Sequence, residues 1–179
     1  MSATRDFAAL IRGIPDHPRR GVLFRDITTL LRDAGAFGEA IEALAARHRG
    51  QRIDRVAGIE ARGFIVGAAL AHALGAGFVP LRKAGKLPGA AIGHDYELEY
   101  GTDRIEMHVD ALDAGDHVLV ADDLIATGGT AAAAVRLVEA AGGRVVECCF
   151  LVDLPDLGGR SRLEALGHAV HALVSFAGD

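Results

Sequence analysis

The sequence predicts an α/β protein in which a parallel sheet is flanked by helices. Three observations carry that expectation. Short apolar runs of strand length alternate with helix-period segments through the middle of the chain, which implies βαβ units. Residues Val118 to Thr130 read as strand, acid pair, glycine turn and helix start. The chain is 50% hydrophobic and 24% charged, an ordinary globular balance, and 179 residues suffice for one core. Residues 1–179 are therefore read as a single domain without repeat or linker.

Taken in order, Thr4 to Arg12 carries apolar residues at Phe7, Ala8, Leu10 and Ile11 and predicts a short helix, broken at Ile14-Pro15-Asp16-His17-Pro18. Arg19 to Thr28 mixes charges with apolar residues without a period and predicts a shaped loop or edge segment. Phe37, Ala40, Ile41, Leu44, Ala45 and His48 recur at helical spacing, so Ala36 to Arg49 is a helix with Asp33 or Gly35 as its cap. Ile53 to Ile59 is a strand, Glu60 to Gly63 a turn, and Phe64 to Leu74 a helix stopped by Gly75. Gly77 to Leu81 is a strand whose Pro80 belongs at an edge or end. Arg82 to Thr102 is rich in glycine and charge, and a structureless connection of that length is usually functional. Ile105, Met107 and Val109 alternate with Glu106 and His108 as a half-buried strand. After the helix that ends near Gly142-Gly143 come a strand over Val145 to Val152, a helical turn over Arg160 to Leu166 and a last strand over Ala169 to Phe176. Cys148 and Cys149 are adjacent in an apolar run, which places one reduced thiol on each face of a strand.

Ligands of parallel α/β sheets sit beyond the carboxyl ends of the strands. Three loops end there: Glu60–Gly63, Arg82–Gly89 and Asp122–Thr130. In the third, a glycine turn leads into a helix N-terminus, whose free N–H groups and dipole favour an anion. Ala126, Thr127, Gly128, Gly129 and Thr130 form that phosphate cradle. Asp122 and Asp123 repel phosphate, and suit sugar hydroxyls or a metal between sugar and phosphate. Arg62 beside Gly63 suits a bidentate grip on pyrophosphate, and Arg82, Lys83 and Lys86 put three cations within five residues.

The stretch from Val118 to Thr130 resembles the signature of the type I phosphoribosyltransferases, which use 5-phosphoribosyl pyrophosphate (PRPP). Further stretches are similar to the adenine-using branch of that family: Ile14-Pro15-Asp16, Gly21 to Thr28, Glu60 to Phe64, Arg82-Lys83, Gly85 to Gly89 and Leu98-Glu99-Tyr100-Gly101. Together they span nearly the whole chain in the family's order. His17, Arg20 and Thr29 stand where an aromatic and two prolines are expected, a difference that touches loop stiffness.

The resemblance implies a type I phosphoribosyltransferase fold and the conversion of adenine and PRPP into AMP and pyrophosphate with Mg2+. It implies that Leu23, Phe24 and Arg25 lie at adenine, with Phe24 stacking on the ring and Leu124 and Leu157 walling the pocket. Asp122 and Asp123 would hold ribose, with one of them touching Mg2+ that PRPP mainly holds. Arg62, Arg82, Lys83 and Lys86 would hold pyrophosphate, Arg82 reaching into the neighbouring subunit of a homodimer. Residues Lys83 to Met107 would form a mobile hood carrying the catalytic Glu99. Two rival readings are a transferase for hypoxanthine, guanine or xanthine, and a PRPP-sensing regulator. The net charge of −5 disfavours a nucleic-acid or membrane-surface partner. Neither a membrane-length apolar run nor a signal-like start is present, so a cytoplasmic location is expected.

Overall fold

The computed structural model describes residues 5–97 and 101–178. A 3-10 turn at Ala8–Leu10 precedes strands β1 (Arg12–Pro15) and β2 (Leu23–Asp26). Helices α1 (Thr28–Leu31) and α2 (Ala34–Ala46) follow, then β3 (Arg55–Ile59), α3 (Gly63–Leu74) and β4 (Gly77–Lys83). Strands β5 (Ala91–Glu97) and β6 (Thr102–His108) precede β7 (His117–Ile125) and α4 (Gly129–Ala140). The chain closes with β8 (Arg144–Asp153), α5 (Gly159–Ala165) and β9 (Val170–Ser175).

The main sheet has the order β5-β6-β4-β3-β7-β8-β9. Strands β4, β3, β7, β8 and β9 pair in parallel, as the alternating pattern predicts. From β3 the chain winds outward to β4 and the β5–β6 pair, then returns to β7 on the other side of β3. The order therefore reverses between β3 and β7, which opens a crevice at their carboxyl ends.

Helix α4 covers one face of the sheet, and its buried Ala131, Ala133 and Ala134 pack in a core with Val120, Cys148 and Phe150. The other face packs Leu44, Val66, Leu70, Leu119 and Cys149 beneath α2 and α3. The adjacent thiols thus do serve opposite cores. The Asp33 side chain caps α2 by accepting from the Ala36 N–H at 3.0 Å, and Gly75 ends α3 in the left-handed region with φ of 67°. One buried carboxylate, Glu147, lies on β8 away from the crevice. It accepts from Arg47 at 2.7 and 3.2 Å, lies 3.0 Å from His48 Nε2 and takes a long contact from the Cys149 thiol, so its oxygens are occupied.

Four expectations need correction. Within residues 19–28 only the first part is a loop: residues 19–22 turn, and β2 then pairs antiparallel with β1, in register from Pro15↔Leu23 to Arg12↔Asp26. Arg12 and the Thr28 N–H hold the Asp26 carboxyl down to about 2, which ties this hairpin to α1. In the described part of the predicted N-terminal helix, the chain makes a three-residue 3-10 turn and then enters β1. Most of Arg82–Thr102 is also ordered. Strand β5 pairs with β6 over seven positions, and β6 joins β4 at Arg82↔Glu106 and Lys83↔Ile105. The sheet therefore carries an antiparallel hairpin on its β4 side. Its period was hidden because only Ile92 and Tyr96 of β5 pack against the α4 core, while Gly93, Asp95 and Glu97 interrupt the apolar pattern. Pro80 lies where β4 pairs with β3 alone, so its missing donor faces the unpaired edge. Finally, the acid pair does not follow the strand: β7 continues through Asp122 and Asp123 to Ile125.

Candidate active site

The crevice is built from strand ends. Beyond β3, Glu60, Ala61 and Arg62 turn into α3 and line a cleft of about 290 Å3 with Asp122, Asp123 and Leu124. The close approach of α3 to β7 depends on Gly63. A Cβ there would lie 2.7 Å from Asp122 Oδ1 and 2.9 Å from the Ala121 carbonyl.

Asp123 is 4% exposed and is held by the Arg62 Nε. Its N–H donates to Asp122 Oδ1 at 2.8 Å. Burial, and then the neighbouring Asp123, push the Asp122 carboxyl well above the usual carboxylate range. A ligand that brings hydroxyls or a cation to this pair would favour its ionised form. Two carboxylates beside a phosphate cradle are a hard-oxygen donor set of the kind Mg2+ accepts.

The cradle follows on the same strand. Ala126 to Thr130 line a pocket of about 120 Å3 with Asp122 and Leu124. Gly128 adopts φ of 75° and immediately precedes α4. Gly128, the N-cap of α4, has no side chain to offer the first-turn amides, which suits them to an anion. The turn is braced from behind by Gly159, whose N–H donates to the Ala126 carbonyl at 2.9 Å. A Cβ on Gly128 would lie 2.8 Å from Gly159 Cα, and one on Gly159 would run into the Ala126 carbonyl. Gly159 was missed in the sequence, where its signal was the Gly158-Gly159 pair after Leu157.

The expected pyrophosphate cations lie close by, and three of the four hold a carboxylate. Arg62 holds Asp123 through Nε. Arg82 donates to Glu60 at 3.0 and 3.3 Å and to the Lys86 carbonyl at 2.8 Å. Lys83 Nζ lies 3.0 Å from Asp103 on β6. The Lys86 charge helps lower the Glu60 carboxyl, behind the larger effect of the Arg82 hydrogen bond.

The β1–β2 hairpin reaches the same crevice. Half-buried Phe24 has the Arg62 guanidinium 5.3 Å from its ring centroid, and the His17 ring meets it edge-on at 5.1 Å. Phe24, Arg62 and Asp123 therefore form a chain from the hairpin to the acid pair. Leu23 and Leu157 are exposed apolar side chains at 36% and 42%, and Leu124 is half-buried. Arg25 instead stacks on Phe176, its guanidinium carbon 4.0 Å from the ring centroid. Glu99, with Leu98 and Tyr100, lies outside the described residues. The hairpin arm leading to it does come over the cradle: the Glu97 carbonyl would sit 3.6 Å from a Cβ on Gly129. Arg162 Nη1 would sit 3.4 Å from the same point and was not singled out in the sequence.

A family profile for the phosphoribosyl transferase domain matches residues 28–166. The adenine phosphoribosyltransferase of Methylobacillus flagellatus is 58% identical over 94% of this chain and 96% of its own. The chain belongs to the adenine phosphoribosyltransferase family. Among solved structures of that family, the adenine phosphoribosyltransferase from Rhodothermus marinus superposes with a TM-score of 0.90 at 53% identity. That match covers 95% of this chain and 96% of the other. The Saccharomyces cerevisiae enzyme, complexed with adenine and an imino-altritol bisphosphate, matches with a TM-score of 0.88 at 42% identity, over 94% of this chain and 96% of that one. The adenine phosphoribosyltransferase fold thus runs through both the hairpin that carries Phe24 and the strand end that carries the acid pair.

Proposed function

We propose that the crevice between β3 and β7 transfers the 5-phosphoribosyl group of PRPP to N9 of adenine. The bond from ribose C1 to the pyrophosphate oxygen breaks, the N9–C1 bond forms, and AMP and pyrophosphate leave. One observation carries this reading: a phosphate cradle, an acid pair and an arginine that also faces an aromatic ring meet in one crevice.

Each group then has a task. The uncapped first turn of α4, with Ala126 to Thr130, takes the 5′-phosphate. Asp122 and Asp123 take the ribose hydroxyls and would hold Mg2+, which when bound neutralises charge on the departing pyrophosphate. Arg62 spends Nε on Asp123 and keeps its terminal donors for pyrophosphate, beside Arg82, Lys83 and Lys86. Positive charge at that end stabilises the negative charge that grows as the C1–O bond stretches. Phe24 stacks on adenine, Leu23 and Arg25 read its edge from β2, and Leu124 and Leu157 wall the pocket. The hairpin of residues 83–107 closes over the reactants and keeps water from the cationic ribose.

Glu99 takes the proton that N9 loses. Closure would desolvate this carboxyl and raise its pKa toward the working range. Glu99→Gln should lower kcat by roughly 10² to 10⁴, the usual worth of a general acid–base group. PRPP affinity should hold, because phosphates and ribose are gripped elsewhere. Single-turnover rates close to wild type in Glu99→Gln, or a larger loss in Glu97→Gln, would remove Glu99 from this role.

The assay of the whole reading follows pyrophosphate release from PRPP and Mg2+ with adenine as acceptor. Turnover is expected with adenine and lost on chelation, and a folded protein that releases no pyrophosphate with adenine refutes the reading. The protein acts as a homodimer in the cytoplasm, and light scattering checks the former. Among the described residues no helix is long and apolar enough to cross a membrane.

A further inference from the structure

The cations assigned to the leaving group each have a carboxylate to answer to, Lys86 apart. Arg62 rests on Asp123 and Arg82 on Glu60, both partners at strand ends that face the ligand. Lys83 is different. Its partner Asp103 lies on β6, in the hairpin that covers the site. One carboxylate oxygen, Asp103 Oδ2, lies 3.0 Å from Lys83 Nζ and accepts from the Tyr96 hydroxyl at 3.1 Å. Tyr96 is the register partner of Asp103 across the hairpin. The Tyr96 ring shares a small void with Lys83, Ile59, Leu81, Ile105 and Thr130. The phenol therefore fixes the carboxylate against the cleft wall, beside Thr130 at the cradle's end. Lys83 also raises no bar to release, since its side chain is 61% exposed and such pairs are weak. The mutual hydrogen bond pushes the Lys83 ammonium up and the Asp103 carboxyl down, so both are charged near neutrality.

We propose that Asp103 is a positioning residue that holds Lys83 in reserve and cedes it to the pyrophosphate group when PRPP binds. Tyr96 keeps the carboxylate in place during the exchange. The inference rests on the proposed role of Lys83 at pyrophosphate. Its physical basis is a competition between two anions for one ammonium. PRPP carries more charge and wins, and Asp103 recovers the lysine as pyrophosphate leaves. The carboxylate thus weakens substrate binding and speeds product release.

Asp103→Asn is isosteric and keeps a hydrogen-bond acceptor for Tyr96. It should bind PRPP about 2- to 5-fold more tightly, within the range of a partly exposed ion pair, and lower kcat through slow pyrophosphate release. A purely structural role for Asp103 would loosen PRPP instead. The test is calorimetric PRPP affinity, with Mg2+, across wild type, Asp103→Asn, Lys83→Ala and the double variant. Asp103→Asn should tighten binding only where Lys83 is present. Asp95→Asn, whose carboxylate pairs with Arg104 on the same hairpin, should leave affinity unchanged. The inference is overturned if Asp103→Asn binds PRPP no better than wild type, or gains equally in the Lys83→Ala background or from Asp95→Asn. If Lys83→Ala binds PRPP like wild type, the pyrophosphate role of Lys83 falls as well. If Lys83→Ala weakens PRPP while Asp103→Asn changes nothing, only the exchange is wrong.

Discussion

Gly128→Val should abolish PRPP binding while leaving most of the fold in place. The backbone at Gly128 has φ of 75°, a region that costs an L residue of ordinary shape roughly 1–2 kcal/mol and a β-branched one more. Any Cβ there also meets Gly159 Cα at 2.8 Å. Gly159 cannot yield, because its N–H is bonded to the Ala126 carbonyl and its own Cα faces the turn. The turn itself must therefore open, and the first amides of α4 then lose their common aim at the phosphate. Titration calorimetry should show no PRPP heat and no AMP heat. Gly38→Ala is the matched control: nothing lies within 4 Å of its added Cβ, and alanine suits a helix interior. Normal PRPP affinity in folded Gly128→Val would show that the phosphate is bound elsewhere.

The same turn shows what a sequence can and cannot reveal. The path from Val118 to Thr130 was legible because each step is local: apolar residues extend a strand, two glycines turn it, and alanines start a helix. The Asp33 cap and the Gly75 stop were readable for the same reason. Gly159 was not, because its work is to leave space for a loop some thirty residues earlier in the chain. The pairing of Lys83 with Asp103 was equally hidden, since it appears only when β6 returns beside β4. The β1–β2 hairpin escaped notice because two four-residue strands give too few alternations to separate from a loop, and tertiary contacts such as Arg12 with Asp26 decide the matter. Charge chemistry was visible from residue types, yet not its partners. Only the fold shows that Arg62, Arg82 and Lys83 each hold a carboxylate.

Adenine should be used far better than hypoxanthine, by about 10⁴ or more in kcat/KM, as for sites that must pair a specific polar edge. The reasoning starts from β2. Among the described residues this strand has one strand neighbour, β1, so its other edge offers backbone N–H and C=O groups that no described strand takes up. Leu23 and Phe24 lie on it, the first exposed and the second half-buried beside Arg62. A purine stacked on Phe24 would lay its six-membered ring along that edge. Adenine presents a donor at the 6-amino group and an acceptor at N1. A backbone carbonyl and the N–H near it complement that pair. Hypoxanthine reverses both, with an acceptor at position 6 and a donor at N1. Two oxygens would then face each other, as would two N–H groups, inside a pocket closed to water. Stacking and burial are nearly equal for the two bases, so Phe24, Leu124 and Leu157 cannot restore the preference. The loss falls on the polar edge alone, which is why it is large for a change of so few atoms. Steady-state rates with adenine, hypoxanthine and guanine at saturating PRPP and Mg2+ measure it. Comparable kcat/KM for hypoxanthine would leave the crevice and its cradle intact but would mean that the edge of β2 does not read the base.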